Sequence, residues 1–247
     1  MAELKIPTET VTLPSKGLLY PATSPLAKGE IEMKYMTAKE EDILTNTNYI
    51  KNGTVVDKLL QALIITPIDY NELLVGDKNA ILIAARILGY GKDYPVTFGE
   101  TEFNVDLSTL EDKIVDFSLF KHGVNEFEFT LPHSTNNITF KLLTHGDEQK
   151  IEAEIKGLKK VNPNTTTDVT TRLKHIITSV EGKRESKDIR DFVDNYLIAK
   201  DARALRQYYN QISPDINMKY KPNDENYTGE GMEISLGINF LWPDSGL

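Results

Sequence analysis

Five short patterns occur twice in this chain, and they recur in the same order. Thr10-Val-Thr-Leu-Pro14 returns as Glu128-Phe-Thr-Leu-Pro132, and Glu32-Met-Lys-Tyr-Met-Thr37 with Glu40 returns as Thr139-Phe-Lys-Leu-Leu-Thr144 with Asp147. Val56-Asp-Lys-Leu-Leu60 is echoed by Thr170-Thr-Arg-Leu-Lys174, and Asp77-Lys-Asn-Ala-Ile-Leu82 by Asp201-Ala-Arg-Ala-Leu-Arg206. Phe103-Asn-Val-Asp-Leu107 is echoed by Met232-Glu-Ile-Ser-Leu236. The offset between copies starts at 118 (Pro14 to Pro132), falls to 107 (Thr37 to Thr144) and climbs through 114 and 124 to 129. A fixed period would indicate a solenoid, whereas two copies with drifting loops indicate a tandem duplication. The expected fold is therefore α+β: two related, mainly helical units at 1–120 and 121–247, each with a strand pair at its start and a β-hairpin at its end.

The 247 residues suffice for one large domain or two of about 120, each able to bury a core. A net charge of −9 argues against a nucleic-acid partner, which requires a basic surface to displace counterions. The basic stretches Lys156 to Lys160 and Lys183 to Arg190 read as solvated helix faces. With no cysteine, disulfides and cysteine-ligated zinc are excluded. No run approaches the ~18 apolar residues of a membrane helix, and the opening Met1-Ala-Glu-Leu-Lys-Ile-Pro7 lacks a signal-peptide core, so synthesis in a cytoplasm is expected.

Alternation predicts strands over Thr8–Leu13 and Glu30–Tyr35. Between them lies a loop whose Leu18, Leu19 and Tyr20 either pack on the protein or present a patch to a partner. Thr37 with Glu40 has the form of a capping box opening a helix to about Leu44. A second helix runs from Thr54 through Ile64, and Asp69 to Val75 fits a short one. Asp77 then caps an almost wholly apolar helix from Ala80 to Leu88 that ends at Gly89-Tyr-Gly91. Tyr94–Phe98 and Glu102–Leu107 form a hairpin. In the second half, a hairpin over Glu126–Leu131 and Asn137–Leu143 precedes helices at about Gly146–Lys160, Val169–Val180, Ser186–Tyr196 and Asp201–Gln211. The tail from Ile216 to Trp242 reads as a β-hairpin with a polar tip.

Motifs for chemistry are sparse. His122, His133, His145 and His175 lie in different segments without the i, i+4 spacing of zinc ligands, and read as surface or loop residues. Gly89-Tyr-Gly91-Lys92 lacks the spacing and the Lys-Ser/Thr pair of a phosphate loop. Glu40-Glu41-Asp42 sits in an opening helical turn, where acids meet the helix dipole. No catalytic, cofactor or metal residue is assigned. The charges that ask for explanation are Asp77 with Arg86, and Asp201 or Asp194 with Arg203 or Arg206, on matching helices. They read as ion pairs docking each apolar helix. Breaking such a pair costs ~3–5 kcal/mol if it is buried, and ~0–1 kcal/mol if it is exposed.

Several of these segments carry a resemblance. Leu13-Pro-Ser-Lys-Gly-Leu-Leu-Tyr20 and Glu32-Met-Lys-Tyr-Met-Thr-Ala-Lys-Glu-Glu-Asp42 are two of them. Leu74-Val-Gly-Asp-Lys-Asn-Ala-Ile81 with Arg86, and Gly237-Ile-Asn-Phe-Leu-Trp-Pro243, are the others. In order along nearly the whole chain they resemble the baseplate hub and hub-assembly proteins of T-even-type contractile-tailed bacteriophages. The resemblance implies assembly rather than catalysis, with location in the virion tail and other tail or baseplate proteins as partners, the tape measure protein among the candidates. It implies no cofactor, nucleic acid or membrane. Relatives in that family often carry paired cysteines in the hairpins corresponding to Thr97–Phe103 and Lys221–Gly231, suggestive of zinc knuckles, and this chain has none. Leu18, Leu19, Tyr20, Tyr227 and Trp242 are the candidate contact anchors, because aromatics dominate interface energetics; Trp242 serves equally as a core residue. The other readings are a tail assembly chaperone absent from mature particles and a hydrolase with an unrecognised site.

Overall fold

The structure is a computed structural model and describes residues 6–98, 101–164, 166–221 and 231–241. The first half opens with strands β1 (Thr8–Thr12) and β2 (Glu30–Lys34), paired antiparallel from Thr8↔Lys34 to Thr12↔Glu30. Three short helices follow: α1 (Ala38–Leu44), α2 (Thr47–Asn52) and α3 (Val55–Leu63). The long α4 (Val75–Tyr90) leads into the hairpin β3 (Asp93–Phe98) and β4 (Thr101–Asp106). The second half opens with β5 (Phe127–Thr130) and β6 (Asn137–Phe140), then α5 (His145–Val161) and α6 (Asp168–Ile176). Strand β7 (Ile177–Val180) returns to pair with β6 and makes a three-stranded sheet, ordered β5-β6-β7. Helices α7 (Ser186–Asn195) and α8 (Ala199–Ile212), strands β8 (Lys219–Tyr220) and β9 (Met232–Glu233), and α9 (Ile238–Leu241) complete it. The fold is α+β with small antiparallel sheets.

The repeat seen in the sequence is also a repeat of local geometry. In both halves a reciprocal capping box starts the helix after the strand pair: Thr37 with Glu40 at α1, and Thr144 with Asp147 at α5. The capping acid is also salt-bridged to the preceding strand or its extension, Lys34 to Glu40 and Lys141 to Asp147, both at 2.8 Å. Helices α3 and α6 are each nine residues long and are preceded by Thr54 and Thr167 in similar backbone conformations. Both stop at an isoleucine in extended conformation, Ile64 and Ile177. Thr167 lies 113 residues after Thr54, one fewer than the offset given by the residue echo.

Three expectations are corrected in detail. The helix predicted over Val169–Val180 ends at Ile176. Ile177, Thr178 and Val180 are β-branched and suit the pleated edge offered by β6. In the first half the same exit makes only the bridge Met33↔Ile64, and Pro67 follows soon after. The tail forms the two-residue strands β8 and β9 and the helix α9 rather than one long hairpin, and its tip at 222–230 lies outside the described residues. Asp77 is not a cap: Leu74 precedes α4, and Asp77 is its third residue.

Buried apolar residues of both halves belong to one connected cluster. At the boundary Phe120 packs on Phe117 and Phe127, and Phe127 stacks on the fully buried Phe140 with ring centroids 5.6 Å apart. A short antiparallel crossing joins the halves elsewhere: His145 N donates to Leu73 O at 2.7 Å and Val75 N to Leu143 O at 3.1 Å. The units 1–120 and 121–247 therefore pack around one core.

Candidate functional site

Asp77 is fully buried and collects the loop that follows β1. Its Oδ1 accepts from Ser15 N at 2.9 Å, and its Oδ2 accepts from Ser15 Oγ and from Tyr20 Oη, both at 2.6 Å. Tyr20 Oη in turn accepts from Leu74 N at 2.9 Å, so the phenol joins the loop to the first turn of α4. Burial raises the Asp77 carboxyl above its ordinary range and outweighs the hydrogen bonds from Ser15 and Tyr20. Burial also pushes the Tyr20 phenol up, with Asp77 adding to the effect, which keeps it a hydrogen-bond donor.

Asp201 occupies the matching place on α8. It is inaccessible to solvent and accepts the backbone N–H groups of His133 and Ser134, each at 2.9 Å, with His133 Nδ1 a further 3.2 Å away. Burial opposes its ionisation, but the hydrogen bonds from Ser134 and His133 outweigh it and hold the carboxyl below its usual range. In each half a Leu-Pro step ends the first strand and delivers the next residues to a helix-borne aspartate.

These contacts displace the predicted ion pairs. Asp77 and Arg86 are nine residues apart on one helix, which at ~100° per residue places them on opposite faces. Arg86 instead donates to the carbonyls of Gly91 at 3.1 Å and Asp93 at 3.5 Å, with Tyr90 and Tyr94 beside its guanidinium. Asp201 faces the loop and not Arg203 or Arg206, and both arginines are exposed. Asp194 pairs with Lys174 at 2.7 Å. Of the predicted contact anchors, Leu19 and Tyr20 are core residues at 3% and 4% exposure, and Leu18 is partly buried against the same cluster. The loop packs on its own protein because Tyr20 has two buried partners to satisfy. Tyr227 and Trp242 lie outside the described residues.

A second polar junction crosses between the halves. Asp57 Oδ1 accepts from Lys78 Nζ at 2.6 Å and from Tyr70 Oη at 3.0 Å. Lys78 Nζ also faces His145 Nδ1 at 3.1 Å, which fixes Nδ1 as the acceptor and leaves the hydrogen on Nε2, toward Gln149 at 2.9 Å and Asp57 at 3.5 Å. The Tyr70 ring packs edge-on against the imidazole, with centroids 4.7 Å apart. His145, expected at the surface, is 4% exposed. Burial, then the Lys78 charge, pushes its imidazole below its ordinary value, while burial and Asp57 push the Tyr70 phenol up. Each direction favours the uncharged hydrogen-bonding form.

The other perturbed acids are tied to cations. Arg184 makes two bonds to Glu126, at 2.7 and 2.9 Å, and holds its carboxyl down at about 2. Arg190 does the same for Glu154, at 2.6 and 2.8 Å, with His175 at 2.9 Å; this carboxyl is also at about 2. Among the described residues no His, Asp and Glu cluster is arranged to hold a metal ion.

The main cavity, about 490 Å³, lies between α6 and α8. Its floor includes the buried Leu74, Leu143, Leu173 and Leu205, and its rim carries Asp168, Arg172 and Arg206. Arg172 is fixed by two bonds to Glu148, at 2.6 and 2.8 Å. Sequence reading missed both this groove and the two loop clamps. The available signal was that each repeated Leu-Pro is matched by a repeated helix aspartate. No protein-family model matches the chain, and no curated protein or solved structure matches it either.

Proposed function

We propose that this protein is a structural or assembly component of the baseplate hub of a contractile-tailed bacteriophage, acting through non-covalent contacts with other tail proteins. One observation carries the reading. Two of the separate segments that resemble that family, 13–20 and 74–81, meet around Asp77, and a third, 32–42, supplies the Glu40 capping box. The resemblance is thus concentrated in residues that make one joint and one helix start, as a shared fold requires. The exposed apolar residues Ile114, Val161 and Tyr196, at 97%, 87% and 64%, sit on connectors or helix ends and offer contact points to neighbours.

The test is to purify intact particles and quantify the protein in them by mass spectrometry. Stoichiometric presence is the expected outcome and makes it a hub component. Absence from particles with presence in infected-cell tail precursors makes it an assembly chaperone. Absence from both overturns the proposal, and a cell-wall lytic activity abolished by alanine at His122, His133, His145 and His175 would point to a hydrolase.

A further inference from the structure

The two halves differ in one systematic way. Aligning α3 with α6 by their caps, and α4 with α8 by Asp77 and Asp201, sets Val55, Leu59 and Leu82 against Asp168, Arg172 and Arg206. The first three are buried, at 3%, 0% and 5% exposure, and the second three are exposed. In the first half α3 packs directly on α4. Between α6 and α8 the matching space remains as the 490 Å³ cavity, floored by leucines and ringed by charge. A merely solvated surface accounts for the charged rim but not for the apolar floor.

The rim charges are unevenly satisfied. Glu148 is held by Arg172, Asp168 lies 3.7 Å from Lys159, and Asp215 accepts from the Asn79 amide at 3.0 and 3.2 Å. Arg206 donates through Nε to the Ala202 carbonyl within its own helix, and has no carboxylate partner among the described residues. The surplus at the mouth is one positive charge beside an apolar hollow large enough for one or two side chains. A complementary group presents a carboxylate next to an apolar anchor.

We infer that the groove between α6 and α8 is the docking site for an acidic segment of another protein, which inserts apolar side chains against Leu173, Leu205 and Tyr209 and sets a carboxylate on Arg206. The inference rests on reading the chain as an assembly protein and names the surface it uses.

The experiment places a photo-crosslinking amino acid at the exposed rim residue Asn210 of the full-length protein during infection and identifies the captured peptide by mass spectrometry. Arg206→Glu and Val169→Trp, both at exposed rim positions, are tested alongside, with thermal unfolding to confirm that each still folds. The expected result is one defined segment of a different protein, acidic and carrying an apolar residue. Arg206→Glu and Val169→Trp should each lower its capture about tenfold or more, and lysine in place of the captured carboxylate should restore capture to Arg206→Glu. Unchanged capture in both folded variants, a basic or wholly polar segment, or capture of a second copy of this chain overturns the inference. If wild-type protein enters particles and both variants enter equally, the groove inference fails while the assembly reading stands. Absence of the wild type from particles and precursors defeats that reading itself.

Discussion

Asp77 and Asp201 hold the same place in the two halves of this protein: each is the third residue of its helix, and each binds the loop after a Leu-Pro strand end. Their donors differ. Asp77 receives one backbone N–H and two hydroxyls, whereas Asp201 receives two backbone N–H groups. A hydroxyl can rotate to accept from an amide, and a backbone N–H cannot. Asp77→Asn should therefore cost about 1 kcal/mol, and Asp201→Asn about 2–3 kcal/mol, because an amide nitrogen would then face a buried donor. Urea unfolding of the two variants at neutral pH checks the order, and equal losses would contradict it.

Tyr20 bridges Asp77 and the Leu74 N–H, so it acts on folding rather than on contacts with a neighbour. Tyr20→Phe keeps the ring and removes both bonds, leaving a buried N–H and a buried carboxyl each short of a partner. The expected loss is about 2–3 kcal/mol, read as a lower denaturant midpoint with an unchanged slope.

Gly76 and Gly157 give opposite outcomes for the same substitution. A Cβ on Gly76 would stand 1.9 Å from the Pro214 carbonyl oxygen, so α4 and the end of α8 would have to separate. Gly76→Ala should destabilise by about 3 kcal/mol despite the better helix propensity of alanine. Gly157 lies inside α5 with open space around it, so Gly157→Ala should stabilise by ~0.5–1 kcal/mol. Calorimetric melting temperatures separate the two directions.

The pH dependence follows from the signs. His145 is held neutral in the fold, so its contribution is complete above the ordinary imidazole value of ~6.5 and is lost as pH falls below it. Glu40, Glu126 and Glu154, all held at about 2, contribute above ~4.5 and lose that contribution as pH falls toward 2. Unfolding free energies measured from pH 7 to 3 should fall in two stages. His145→Gln should flatten the stage between about pH 6.5 and 5 and leave the lower one in place; an unaltered upper stage would assign it to another group.

The order of elements was legible because local rules govern them. The capping boxes at Thr37 and Thr144 need only residues three apart, the strand pairs need alternation, and the Leu-Pro echo needs only a register along the chain. Where a strand competed with a helix, as at Ile177–Val180, the choice depended on whether β6 offered a free edge, and no local signal carries that information. The same limit explains the misplaced ion pairs. Opposite charges on one helix invite pairing, but nine residues of separation turn Asp77 and Arg86 to opposite faces, and the partner each finds comes from a segment distant in sequence or from a backbone carbonyl. What the sequence determined by itself was the duplicated α+β plan, through periodicity, caps and turn residues that act over a few positions. Only the tertiary structure decided that both halves share one core, that Tyr20 is buried on Asp77, and that α6 and α8 stand apart around a leucine-floored groove. Burial and hydrogen-bond partnership are properties of residues brought together from across the chain.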